Sequence, residues 1–378
     1  MPIALITGSG GLIGSESVRR YVEAGYEVIG LENDMRARFF GAEASTASTT
    51  SRLLEEHTEF RSLDIDIRDP DKVMRVVAEH REHIEVIIHT AAQPSHDWAA
   101  SDVQTDFAVN ANGTLNLLEA ARTHCPDAPF IFCSTNKVYG DQPNDLPLVE
   151  LETRLELPED HRYHGGIDTS MSIDRSMHSL FGASKAAADL LVQEYGRYFD
   201  MPTVCLRGGC LTGPGHAGAK PHGFLSYLMR CTATGEPYTI FGYGAKQVRD
   251  NLHAADMVSA FVAFQRSPRA AAVYNIGGGR VSNCSMQEAI SLSEQIAGRP
   301  LDLQLSGEAR MGDHRWWISD LSEFQRDYPE WQVEYGVEEI LRQIHAAGVE
   351  RWTRPGVEAS AAAPANGRLA DRPPVKRP

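Results

Sequence analysis

Short, almost wholly apolar runs alternate along this chain with segments whose apolar positions recur every three or four residues. The runs are "IALIT" (3–7), "YEVIGL" (26–31), "FRSLDI" (60–65), "EVIIHTA" (85–91), "FIFCST" (130–135) and "PTVCLRG" (202–208). Continuous apolar runs of this length predict strands covered on both faces, as in a parallel sheet. Helical spacing marks "IGSESVRRYVEAG" (13–25), "PDKVMRVVAEHRE" (70–82), "NANGTLNLLEAARTH" (110–124) and "KAAADLLVQEYGRYF" (185–199). Strand and helix in strict alternation predict βαβ units. The Ser/Thr/Ala-rich stretch 41–52 interrupts them and is expected to be a surface loop.

From about residue 215 the alternation stops. A helix in 224–235, a short strand at 238–242, the segment 246–264, a strand-loop at 272–279 and helices near 285–297 and 336–348 follow. The expected organisation is α/β: a doubly wound parallel-sheet domain over 1–205, to which 245–277 returns, and a smaller mixed α/β lobe over 206–244 and 278–353. Residues 354–378 are rich in Ala, Pro and Arg without periodicity and read as a disordered tail.

The first strand runs into "TGSGGLIGS", which places Gly8, Gly11 and Gly14 around Leu12 and Ile13 before a helix. Glycines there allow a tight turn and close backbone approach to a pyrophosphate, and the helix N-terminus supplies N–H groups and positive partial charge. This is the Rossmann pattern of dinucleotide binding. The second strand ends in Glu32, about 18 residues beyond Gly14. A carboxylate there accepts from the adenosine ribose and repels a 2′-phosphate, favouring NAD over NADP, although Arg36 and Arg38 follow closely. Asp66 and Ile67, at the end of the third strand, are expected beside the adenine. The small residues Ala91 and Ala92, with Gln93, let a flat cofactor pass over the fourth.

A net charge of −15 argues against nucleic-acid or anionic-membrane partners, while leaving room for a local basic pocket. No apolar span is long enough to cross a membrane, and the cytoplasm is the expected compartment. The six cysteines form no CxxC pair and no His/Cys cluster with zinc-ligand spacing, so no metal is expected.

Seven stretches together, "TGSGGLIG", "DIDIR", "HTAAQ", "NANGTLNLLEA", "CSTNKVYGD", "GASKAAAD" and "VRDNLHAAD", carry a resemblance. Over roughly residues 1 to 350 the chain resembles the extended short-chain dehydrogenase/reductases, the nucleotide-sugar epimerases and dehydratases. "STNKVYGD", "GASKAAAD", "AKQVRDNLHAAD" and "YNIGGG" are most similar to the CDP-paratose (CDP-tyvelose) 2-epimerases. The resemblance implies tightly held NAD, a CDP- or UDP-linked sugar as substrate, and a homodimer built from two helices of each subunit. It adds Asn110 to the cofactor residues and puts the catalytic Ser/Thr on Thr135 and the lysine on Lys185, which would hold the nicotinamide ribose. It makes Arg249 the clamp for the substrate diphosphate, with Arg207 also within reach of phosphate.

Two positions depart from the family. Cys210 stands where many relatives face the sugar with a polar side chain, and Phe181 stands where they carry the acid/base tyrosine, four residues before the lysine. A phenyl ring moves no proton, so Phe181 is expected to be packing surface against the sugar. The stand-ins expected from sequence are, in order, Tyr163, Lys137 and His178, with His164 or Lys185 itself as further candidates. Three functions fit: an epimerase working by transient oxidation, another chemistry on the same scaffold such as elimination of water or one-way oxidation, and a binding protein whose catalysis has lapsed.

Overall fold

The computed structural model describes residues 1–216, 223–306 and 313–353. Its centre is a seven-stranded, wholly parallel sheet: β1 (Ile3–Thr7), β2 (Glu27–Leu31), β3 (Phe60–Leu63), β4 (Ile84–His89), β5 (Phe130–Thr135), β6 (Thr203–Gly208) and β7 (Ala272–Ile276). The order across the sheet is β7-β6-β5-β4-β1-β2-β3, so the chain winds outward in both directions from β1 and β4.

Alternate residues of each strand serve opposite faces. Ala4, Ile6, Val28 and Val204 join Val18 and Tyr21 of helix Leu12–Glu23 and Met257 and Phe261 of helix Ala254–Arg266. Leu5, Ile29, Ile87 and Phe132 join Val77 of helix Pro70–His80, Leu117 of Gly113–His124 and Val192 of Leu180–Phe199. Coverage on both faces is why the strands read as unbroken apolar runs rather than alternating ones.

Beyond the carboxyl ends of the strands lies a lobe packed around Leu228, Met229, Ile340 and Leu341 from helices Phe224–Thr234 and Val337–Thr353. A small sheet centred on strand Val248–His253 joins lobe to domain. Cys210–Thr212 and Trp316–Trp317 lie parallel to that strand, and Asn283–Ser285 runs antiparallel. Its register places Cys210 and Arg249 on neighbouring elements at the mouth of the main sheet.

Two expectations need adjustment. The stretch 41–52 is not simply a loop: a helix starts within it, Ala47–Glu56, and seats Leu53 in the core as its one buried residue. The left-handed Asp34 orders the preceding turn by accepting from the Ser45 hydroxyl (2.6 Å) and the Thr46 N–H (2.7 Å). The helix carrying Lys185 starts earlier than periodicity implies, at Leu180, because Ser179 caps it by accepting the Gly182 N–H at 3.0 Å. The expected tail, 354–378, lies outside the described residues.

A buried polar cluster ties β5, β6 and helix Leu180–Phe199 together. Arg207 donates from Nε and Nη2 to the two Asp189 oxygens at 3.1 and 2.7 Å, and Ser134 Oγ donates to Asp189 at 2.5 Å. Arg207 Nη1 also donates to Tyr139 Oη at 2.9 Å. Breaking one half of a buried, bidentate pair costs about 3–5 kcal/mol, because the remaining charge is left without a partner. Asp189→Asn is therefore expected to lower the urea midpoint by that equivalent. Arg207→Met is expected to destabilise as well, with less strain once both charges are removed together. Loss of substrate affinity at unchanged stability in Arg207→Met would instead assign this arginine to a phosphate.

Candidate active site

One cavity of about 540 Å³ runs from the glycine turn, past the carboxyl ends of the central strands, into the lobe. Its first half is lined by Gly8, Gly11, Leu12, Ile13, Gly14, Glu32, Asp66, Ile67, Ala91 and Ala92. The backbone itself forces glycine here. Gly8 has φ +67°, and a Cβ on it would lie 2.9 Å from the Ala91 backbone; a Cβ on Gly14 would fall 2.0 Å from the Gly8 carbonyl oxygen. No side chain caps helix Leu12–Glu23, which leaves its N-terminus free to receive an anion. Glu32 is pinned at the rim by the N–H groups of Gly10 (2.9 Å) and Asp34 (2.8 Å). A narrow glycine cradle, an uncapped helix end and an oriented carboxylate together fit a dinucleotide.

Gln93 and Asn110 sit behind this wall rather than in it. Both are buried: Asn110 Oδ1 accepts the Gln93 N–H at 3.0 Å, its Nδ2 donates to Ser184 Oγ at 3.0 Å, and Gln93 Nε2 donates to Asp106 at 2.7 Å. Asn110 lies in a five-residue π-helical turn, Ala108–Asn112, where the extra residue turns it toward the 91–96 loop. The pair ties the loop after β4 to helix Leu180–Phe199.

In the second half of the cavity, Thr135, Lys137, Phe181, Lys185, Cys210 and Arg249 converge. Lys185 is buried, donates from Nζ to the Cys133 carbonyl at 2.9 Å and lies 4.0 Å above the Phe132 ring. Burial lowers its pKa to about 8 against the nearby thiols and carboxylates. β5 stops at Thr135, and Asn136–Tyr139 forms a 3₁₀ turn, so Lys137 reaches the cavity from a turn and not from a continued strand. The Lys137 N–H donates to Thr135 Oγ1 at 3.2 Å. Burial brings the Lys137 amine down to about 8; Asp313 opposes that shift and Arg249 adds to it. Arg249 donates to Asp313 Oδ1 at 2.6 Å and to its neighbour's carbonyl at 2.8 Å. For Asp313, burial alone would raise the pKa, but Arg249 and Lys137 hold it at about 2. Burial raises the Cys133 and Cys210 thiols to about 11, so neither is a ready nucleophile.

Four sequence candidates do not reach this cavity. Tyr163 packs with Tyr139, Ile167 and Trp317 in a separate apolar cluster. The ring nitrogens of His178 face the carbonyl oxygens of Ser176 (3.1 Å) and Val138 (2.6 Å). Arg207 is committed to Asp189. His164, similarly, places Nδ1 3.1 Å from the Leu157 carbonyl. Two residues that pattern reading missed do line the cavity, His96 and Asp313. His96 follows the strand-end "AAQPS" by position alone, and Asp313 lies some 60 residues from Arg249 with no motif linking them.

The NAD dependent epimerase/dehydratase family model matches residues 4–277. The chain is 30% identical over 325 residues to the CDP-paratose 2-epimerase of Salmonella typhi, covering 84% of this chain and 90% of that one. It is 28% identical to dTDP-glucose 4,6-dehydratase 1 of Escherichia coli K12, covering 72% and 71%. Among solved structures, the NAD complex of Thermus thermophilus UDP-glucose 4-epimerase superposes with a TM-score of 0.74 at 24% identity, over 93% of this chain and all of the other (100%). Glycine cradle, oriented Glu32 and the Thr135–Lys185 pair agree with those matches: NAD is the cofactor, and the chain belongs to the NAD dependent epimerase/dehydratase family.

Proposed function

We propose that this protein epimerises a nucleoside diphosphate sugar at a carbinol carbon by transient oxidation and re-reduction, with Lys137 in place of the missing tyrosine. One observation carries the reading. Of the three stand-ins ordered from sequence, only Lys137 lines the cavity that holds Thr135, Lys185 and Phe181. The similarity to CDP-paratose 2-epimerase supports a CDP-linked sugar with C2 as the inverted centre.

NAD, held along Gly8, Gly11, Gly14 and Glu32 in the first half of the cavity, would supply a hydride acceptor and donor. The chain's own groups do the rest. Lys185, on helix Leu180–Phe199 and anchored to the Cys133 carbonyl of β5, offers the ribose its ammonium. Arg249, oriented by Asp313, keeps guanidinium donors for a diphosphate. Thr135 Oγ1 accepts from the Lys137 backbone and retains its own proton to orient the sugar hydroxyl. The neutral Lys137 amine takes that hydroxyl's proton and later gives it back. An amine with a pKa of about 8 is matched to this task near neutral pH. Phe181 closes the wall and keeps water from the keto-sugar. A homodimer is part of the same reading, supported by the exposed Phe107, Leu180, Leu190 and Phe199 on helices Val103–Phe107 and Leu180–Phe199.

The direct test incubates the purified protein with CDP- and UDP-sugars and follows products by NMR. Epimerised sugar without net NADH is expected; loss of water or stoichiometric NADH rejects the reading. Because only the neutral amine accepts a proton, kcat/KM should rise with pH and level off above about 8, falling about tenfold per pH unit below that. Lys137→Met should cost ~10²–10⁴ in kcat while retaining NAD, measured spectrophotometrically after denaturation. Adding Phe181→Tyr to that variant should restore part of the loss, since it returns a phenol four residues before Lys185.

A further inference from the structure

The tyrosine of a site like this does two things: it moves a proton and it donates a hydrogen bond to the sugar oxygen. Lys137 accounts for the first. The second falls to a residue that none of the motifs marks. His96 lines the cavity, and its ring stands edge-on to Phe181 with centroids 5.0 Å apart. Its Nδ1 lies 2.6 Å from Ser179 Oγ. That serine is the cap of helix Leu180–Phe199 and accepts the Gly182 N–H, which leaves its hydroxyl proton able to be donated to Nδ1. A neutral imidazole that accepts at Nδ1 carries its proton on Nε2. Among the described residues Nε2 has no hydrogen-bond partner, so in that tautomer its N–H is left for a ligand.

Resting on the reading above, the geometry points to His96 as the hydrogen-bond donor, through neutral Nε2–H, to the sugar oxygen at the carbon that is oxidised. As that carbon loses its C–H as hydride to NAD and its O–H proton passes to the Lys137 amine, the oxygen becomes a ketone that gains from a fixed donor. Neutrality matters, because an imidazolium would leave a third cation beside Lys137 and Lys185. Burial, then Lys137, hold the His96 pKa at about 4, with Asp313 opposing. A neutral imidazole that polarises a carbonyl is an established use of histidine. The pairing also explains why the ring is anchored to the cap of the helix that carries Lys185: donor and cofactor ligand are set by one rigid element.

The test compares His96→Ala and His96→Gln with wild type, and reads the tautomer of His96 by ¹⁵N NMR of the full chain with NAD bound. Loss of ~10²-fold in kcat is expected for His96→Ala, with KM and NAD content nearly unchanged, and a return to within about tenfold of wild type for His96→Gln, whose amide N–H replaces Nε2–H. The NMR should show a neutral ring protonated at Nε2 throughout the neutral pH range. Unchanged kcat in His96→Ala, a Gln variant no better than the Ala variant, or a ring protonated at Nδ1 would each overturn the proposal. If wild type itself turns over no nucleotide sugar, the epimerase reading fails first, and the NMR tautomer alone then decides whether the free donor exists.

Discussion

The buried Arg207–Asp189 pair is the contact on which the geometry of the candidate site rests. Asp189 lies one helical turn beyond Lys185, so the two share a helix face. Its carboxylate is gripped by Arg207 of β6 and by Ser134, the residue before Thr135 on β5. One carboxylate thereby fixes the register of the helix against two strands, and with it the separation of Lys185 from Thr135. Arg207 extends the constraint through Tyr139 to Asn275 of β7, whose amide donates to the Ile167 carbonyl at 2.8 Å. The loop before the helix is thus held by the same network. Such a pair adds little net stability compared with apolar packing, and its contribution here is to specify position.

The sheet was legible because parallel strands buried on both faces leave a signal that needs only a few neighbouring residues. The glycine turn was legible for a similar reason: its demands are local, and three glycines and a strand-end acid meet them. Helix Ala47–Glu56 was not, because it buries a single leucine and shows no apolar stripe. Arg207 misled for a different reason. A basic residue at the carboxyl end of a central strand reads as a phosphate ligand until its partner is known, and that partner sits on another element, 18 residues away in sequence. Tyr163 and His178 belong to a segment shaped by contacts with Trp316, Trp317 and the 136–139 turn. No periodicity within the segment records those contacts.

Phe181 changes the electrostatics of the cavity, because a phenyl ring brings no ionisable group beside the lysines. In a site with tyrosine, a buried lysine has an acidic phenol as its neighbour. Here Lys137, Lys185 and Arg249 line one end of the cavity and Asp313 is the carboxylate paired among them. Three full cations in that space would repel strongly at low dielectric. Burial resolves this by drawing both lysines down to about 8, so that each is readily neutralised. On the proposed function, an incoming diphosphate would reverse part of that effect. Two negative charges at Arg249 would lower the cost of a cation at Lys137 and make the amine a stronger base once the substrate is seated than before. Substrate binding and proton acceptance would thus be coupled through one arginine, with the base strengthened when there is a hydroxyl to deprotonate.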